Sequence, residues 1–273
     1  MQVHILTIFP DMFSPLRESI LARASQKGIV QFNLVDFRQY AYNKHKNVDD
    51  YPYGGGAGMV LKPEPIFEAV RDLPVKGKPK VVLMTPQGKV FNQGIAKELA
   101  QSEELVFICG HYEGFDERIR TLADLEISIG DYVLTGGELA AMVVIDATAR
   151  LIPGVLGEQE SYADDSFAHG VLEYPQYTRP PVYEDMEVPA VLLSGDHGKV
   201  AAWRRKEALR KTLLRRPDLF SPSILQVADF PLLRELMAED ERISGLSHLW
   251  LEHEPPPKLK RGRNTRRQEL EKE

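Results

Sequence analysis

The stretch Ile127–Gly157, ISIGDYVLTGGELAAMVVIDATARLIPGVLG, decides how this chain is read. It opens as a short apolar run, Ile127 to Leu134, and breaks at Thr135-Gly136-Gly137. It then resumes as an almost wholly apolar helix whose polar intruders are Glu138, Asp146, Thr148 and Arg150. A strand that stops at paired glycines before a buried helix brings backbone close to a ligand. Charges in so apolar a helix need partners.

Working outward, the same alternation recurs from Val3 to about Leu156. Short β-branched runs (Val3–Phe9, Gln31–Phe37, Lys80–Met84, Leu105–Cys109) are separated by helical periodicities at Phe13–Gln26, Pro65–Leu73 and Asn92–Gln101. This pattern predicts an α/β domain with a mostly parallel sheet. Three runs end in turn residues: Thr85-Pro86-Gln87-Gly88, Gly110-His111-Tyr112-Glu113-Gly114 and Thr135-Gly136-Gly137. Ligands sit beyond the carboxyl ends of strands in open parallel sheets, so these three loops are expected to converge.

The 273 residues, 43% hydrophobic and 27% charged, suffice for two ordinary domains with real cores. The first domain is expected over residues 1–157. Residues 158–181 lose all periodicity and read as a mobile interdomain loop. A smaller helical C-terminal domain follows over 182–253, led by a strong helix at Lys199–Arg216, with weaker helical signals at Ser223–Phe230, Leu232–Ala238 and Ile243–Leu251. A charged tail, 254–273, is expected to be disordered. The single cysteine, Cys109, fits a core position in a reducing compartment, and no apolar run is long and charge-free enough to span a bilayer. The chain is therefore expected to be cytoplasmic and free of the membrane.

Neither a Walker A loop nor a G-x-G-x-x-G fingerprint is present, and the seven histidines and one cysteine show no metal-ligand spacing. No metal site is expected from spacing. The cluster Gly54-Gly55-Gly56-Ala57-Gly58 reads either as a flexible surface turn or, because it is costly to order, as backbone that touches a phosphate or base edge. In Trp203–Pro217 seven residues are basic and one is acidic. On a helix Arg204, Lys211 and Arg215 fall within about 40° of one another, opposite Leu209 and Leu213. A one-signed stripe should repel itself without a polyanion, which predicts phosphate contact despite a net charge of −6.

Seven ordered motifs then carry a resemblance: FPDMF near the start, YGGGAGM at Tyr53–Met59, PQG at Pro86–Gly88, GHYEGFDER at Gly110–Arg118, the opening stretch, DSF at Asp165–Phe167 and YTRP at Tyr177–Pro180. Together they resemble the bacterial tRNA (guanine-N1)-methyltransferases of the knotted (SPOUT) superfamily. The resemblance implies a homodimer, a deep trefoil knot in the N-terminal parallel-sheet domain, tRNA as substrate and S-adenosylmethionine as cofactor. It places the cofactor against Thr85, Pro86, Gly110, Tyr112, Glu113, Ile129, Gly130, Asp131, Tyr132, Val133, Leu134, Gly136 and Gly137. The implied reaction methylates ring nitrogen N1 of the guanosine immediately 3′ of the anticodon, position 37.

By the same resemblance Asp165 is the general base, and Arg150 stabilises charge developing on the guanine carbonyl oxygen. Ordinary aspartates, with pKa values of about 3.9, are weak bases at neutral pH. Gly55, Gly56, Ser166, Arg204, Lys211 and Arg215 are the expected substrate contacts. The resemblance also brings Mg2+ as a cofactor, though no dedicated cage of ligands is legible. His111 stands where an arginine is common in the family, and Glu173 where an aspartate is common. Glu138 and Asp146 are left without a role.

Overall fold

The computed structural model describes residues 1–156, 165–168 and 170–254. Of the expected interdomain loop, residues 158–164 and 169 lie outside the described residues, as does the expected tail beyond Glu254. The chain divides into two compact units, Met1–Ala163 and Asp164–Glu273.

The first unit is an α/β domain. In chain order it contains β1 (Gln2–Thr7), α1 (Ser19–Gln26), β2 (Gln31–Asp36), a short pair β3 (Asp49–Asp50) and β4 (Val60–Leu61), and α2 (Pro63–Arg71). It continues with β5 (Lys80–Val90), α3 (Gln93–Leu99), β6 (Glu104–Cys109), β7 (Leu125–Ser128) and α4 (Glu138–Ala149). Five strands form one parallel sheet in the order β2-β1-β6-β5-β7. Both faces are covered, which is why the strands read as continuous apolar runs. Val3, Ile5, Val82 and Phe107 pack with α1, α3 and α4, while Leu6, Ile8, Leu83 and Ile108 pack with α2. Asn92 starts α3 by accepting a hydrogen bond from the Ile95 amide at 3.1 Å.

Three expectations are corrected. The helix expected over Phe13–Gln26 is a 3₁₀ turn, Pro10–Arg17, followed by α1. Pro15 lacks the amide a continuous helix would use, and Ser19 turns the chain at φ 53°. The run Lys80–Met84 does not end at Thr85. Met84 and Lys89 both pair with Ile127, so Thr85–Gly88 is a bulge inside an eleven-residue strand. A side chain at Gly88 would come within 2.5 Å of the β7 backbone, so glycine alone fits there. The run expected over Ile127–Leu134 is strand only to Ser128, and Gly130, at φ +149°, turns the chain away.

The second unit holds a two-residue hairpin, β8 (Val182–Tyr183) and β9 (Met186–Glu187), then α5 (Ala190–Leu193), α6 (His197–Arg215), α7 (Asp229–Glu239) and α8 (Glu241–Gly245). Its core gathers Leu209, Leu213, Phe230, Leu233, Ile243 and Trp250. Asp196 caps α6 by accepting from the Lys199 amide at 3.1 Å. Asp229, 1% exposed, binds the Arg205 guanidinium through both oxygens at 2.8 and 2.7 Å, tying α6 to α7. Among the described residues no helix is long and apolar enough to cross a membrane.

Candidate active site

Three loops at the carboxyl end of the sheet enclose a cavity of about 170 Å³ within the first unit. The bulge in β5 contributes Thr85 and Pro86, the loop after β6 contributes Gly110–Phe115, and the loop after β7 contributes Ile129, Gly130 and Tyr132–Gly137. The parallel sheet puts all three loops at one end, and hydrogen bonds then join them. The Gly137 amide donates to the Gly110 carbonyl at 2.8 Å, and His111 forms an antiparallel bridge with Gly136. The Ser128 hydroxyl donates to the Gly130 carbonyl at 3.0 Å and accepts from its amide at 3.2 Å, which sets the turn after β7.

Glycines make this wall thin. A Cβ on Gly137 would lie 2.9 Å from the Gly110 nitrogen, and one on Gly110 would lie 2.7 Å from the Phe115 ring. The remaining surface is apolar (Ile129, Val133, Leu134, Ala140) with backbone polar groups between. That combination grips a flat heterocycle by its edges and faces. Tyr112, with a positive φ of 60°, is held half-exposed at the mouth. Burial, and then the charge of Asp49, push its phenol above the ordinary value, partly opposed by Arg38. The residues present therefore fit an adenosine-bearing cofactor.

Twelve of the thirteen residues expected at a cofactor line this one cavity; Asp131 does not. His111, expected in the converging loop though not against the cofactor, also lines it, as do Ser128 and Phe115, which lie outside the three expected loops. The Gly54–Gly58 loop is joined to this site. The Glu113 amide donates to the Met59 carbonyl at 3.0 Å, the Leu61 amide to the Gly114 carbonyl at 2.9 Å, and the Glu113 carboxylate packs against Gly58. A side chain at Gly55, φ +80°, would meet open space, and one at Gly56, φ +130°, would lie 3.8 Å from the Pro52 side chain, with Tyr51 and Tyr53 exposed nearby.

Arg150 is the half-buried residue that ends α4, and its amide donates to the Asp146 carbonyl at 3.2 Å; it does not line the cavity. Asp165 and Ser166 belong to the second unit. Asp165 lines a separate cavity of about 270 Å³ with Glu173, Tyr174, His197, Arg204 and Arg205. The Ser166 hydroxyl accepts from the Glu173 amide at 3.0 Å.

The basic face of α6 differs from a self-repelling stripe. Lys206 binds Glu235 and Glu239 at 2.8 and 2.7 Å, Arg210 pairs with Glu207 and Glu239, and Arg216 with Asp218. Two of these four acids, Glu235 and Glu239, come from α7, which a periodicity reading of α6 alone could not include. Lys211 donates to the Glu173 carbonyl at 3.0 Å, and the Arg204 guanidinium lies 4.8 Å from the Tyr174 ring centroid. Neither makes an ion pair among the described residues; the same holds for the exposed Arg215.

Cys109 is buried, and its thiol is pushed well above the ordinary value by burial and then by the charge of Glu138. It is a core residue. Among the described residues no cluster of three or more His, Cys, Asp or Glu side chains could hold a metal ion, so the resemblance's Mg2+ finds no ready-made cage there.

Residues 1–222 match the family model described as tRNA (Guanine-1)-methyltransferase TrmD. The chain is 59% identical over 262 residues to the tRNA (guanine-N(1)-)-methyltransferase of Desulfitobacterium hafniense, covering 96% of this chain and 100% of that one. It is 57% identical over 242 residues to the enzyme of the same name from Lacticaseibacillus paracasei, covering 88% and 95%. Against that of Staphylococcus carnosus it is 57% identical over 245 residues, covering 89% and 96%.

Proposed function

The chain belongs to the tRNA (guanine-1)-methyltransferase family, and on that premise we propose that it methylates N1 of the guanosine at position 37, immediately 3′ of the tRNA anticodon. The methyl donor in this reading is S-adenosylmethionine. The observation that carries it is the glycine-walled cavity built from the three strand-end loops, whose apolar faces and backbone polar groups suit an adenosine. Bound there, the cofactor supplies a methyl already made electrophilic by the sulfonium charge.

The chain's own residues do the rest. N1 of guanine carries a proton and is a poor nucleophile until that proton leaves. Asp165 accepts it, and the guanidinium of Arg150 stabilises the negative charge that develops on the neighbouring carbonyl oxygen. Ser166 and the backbone at Gly55 and Gly56 contact the RNA, and Arg204, Lys211 and Arg215 contact its phosphates. The absence of an ion-pair partner for these three cations among the described residues supports that assignment. In this division residues 1–157 bind cofactor and 182–253 bind tRNA.

A homodimer belongs to the same reading. Leu139 and Val143, one turn apart on α4, are half-exposed, and Val133 is 83% exposed. Surfaces of this kind are normally covered by a partner. A trefoil knot belongs to it too. After β7, at the sheet edge, the chain returns across the end of β5 to bond with the loop after β6, as a threaded segment would. A cytoplasmic location follows from tRNA as substrate.

The test is direct. The protein is incubated with methyl-labelled cofactor and unmodified tRNA carrying guanosine at position 37, and the RNA is digested to nucleosides. Label is expected in 1-methylguanosine. Label on ribose, or tRNA binding without any label, would overturn the assignment.

A further inference from the structure

Glu138 opens α4 yet is 1% exposed, behind the wall of the cavity rather than in it. Its Oε1 accepts a hydrogen bond at 2.8 Å from Thr7 Oγ1, which is itself buried and accepts the Phe9 amide at 2.9 Å. Its Oε2 lies directly behind Gly136: a Cβ on that glycine would strike the Glu138 carboxylate and would lie 2.7 Å from His111 Nδ1. His111 Nδ1 is buried and has no hydrogen-bond partner among the described residues. Among the described residues no lysine, arginine or amino terminus lies within ion-pair distance of Glu138. The titratable groups facing it are Cys109, on which its charge acts, and His111.

A buried carboxylate without a cation is unfavourable, and one hydroxyl donor plus the positive end of α4 offset only part of that cost. On the other side of Gly136 lies the cavity. We propose that Glu138 is the counter-charge of the bound cofactor, and that it selects the cationic sulfonium over the neutral thioether left after transfer. This rests on the S-adenosylmethionine reading above. When the S–CH₃ bond breaks, its electron pair stays on sulfur and the methyl passes to guanine N1, whose proton goes to the base. The cofactor thereby loses the positive charge that Glu138 holds, and the product leaves more readily than the substrate. An anion and a cation separated by one layer of backbone, at an effective interior dielectric near 20, shift a dissociation constant by roughly tenfold, about 1.4 kcal/mol.

The test is calorimetric titration of the full chain at pH 8, where ordinary imidazoles are neutral. The ligands are S-adenosylmethionine, S-adenosylhomocysteine and sinefungin, which carries an ammonium in place of the sulfonium. The wild-type protein is expected to bind both cations about tenfold more tightly than the thioether. Glu138→Gln keeps the acceptor for Thr7 and the shape but removes the charge. It is expected to erase that preference while changing the thioether affinity by less than about twofold. Glu138→Asp, which keeps the charge, is expected to retain the preference and serves if the glutamine variant does not fold. Equal weakening of all three ligands by Glu138→Gln, or a wild-type protein with no preference for cations, would overturn the proposal. A wild-type protein that binds none of the three would instead overturn the cofactor reading on which it rests.

Discussion

Substituting Gly137 by alanine tests whether the closeness of two loops, rather than their composition, makes the cavity proposed for the cofactor. The new methyl would lie 2.9 Å from the Gly110 nitrogen, 3.1 Å from the Cys109 Cα and 3.3 Å from the Met84 Cβ. The first two are backbone atoms at the end of a central strand, and the third is fixed by the core. None is the free end of a flexible side chain, so α4 itself has to retreat. The 2.8 Å hydrogen bond from Gly137 to the Gly110 carbonyl stretches as it does. Overpacking of this kind costs about 2 kcal/mol. In a unit of this size that lowers the melting temperature by roughly 4–8 °C. The same displacement widens the cavity between Gly110 and Gly137, and cofactor affinity is expected to fall by roughly tenfold or more. Gly55→Ala is the control. It also adds a methyl, and at φ +80° it is strained by about 1 kcal/mol, but nothing lies within 4 Å of it. It should leave cofactor affinity unchanged. Thermal melts and calorimetric titration of both variants decide the matter. A Gly137→Ala protein with wild-type melting and wild-type affinity would refute the reasoning.

Three further outcomes are expected. Asp165→Ala should leave cofactor affinity near normal while lowering single-turnover methylation by roughly 10²–10⁴-fold, and Arg150→Ala should lower it by roughly 10²–10³-fold; parallel loss of cofactor binding would mark either residue as structural. Asp229→Ala strands the Arg205 guanidinium inside the second unit and should destabilise that unit by about 3–5 kcal/mol, read as a loss of helical signal at lower urea. An unchanged midpoint would mean the pair does not tie α6 to α7. His4 is buried, and its Nδ1 accepts from the Asn33 side-chain amide at 3.0 Å. Burial holds its imidazole below the ordinary value, an effect partly opposed by Glu104. The unfolded chain therefore takes up that proton first. Stability from this source is complete above about pH 6.5 and is lost as pH falls through that value towards the lowered one. His4→Leu should flatten that loss in urea midpoints measured between pH 5 and 8, and a slope equal to that of the wild-type protein would refute it.

Much of this was legible in the sequence because it is local or follows from one topological rule. β-branched runs announced β1, β2 and β6, and the helical periodicity beginning at Asn92 announced α3. The glycine pair announced α4, and the parallel-sheet rule placed three loops at one end. Where local pattern misjudged an element, a distant partner was responsible. Lys80–Val90 looked finished at Met84, but pairing with Ile127 and Ser128 carries it onward through a bulge. The basic run of α6 looked self-repelling until α7 supplied Glu235 and Glu239.

The amino-acid sequence by itself determined the α/β class, the glycine-broken loops and, through its ordered motifs, the family. Only the tertiary structure decided which side chains compensate one another. Thr7 and Glu138 stand 131 residues apart, and no periodicity links them. Their hydrogen bond exists because the end of β1 and the start of α4 meet where water is excluded. What a buried charge costs, and what offsets it, depends on the dielectric and the donors that folding assembles around it. Glu138, one of the two polar intruders that the apolar helix left without a role, thus acquires a surrounding: a hydroxyl in front, a helix terminus beneath, and a cavity behind one glycine.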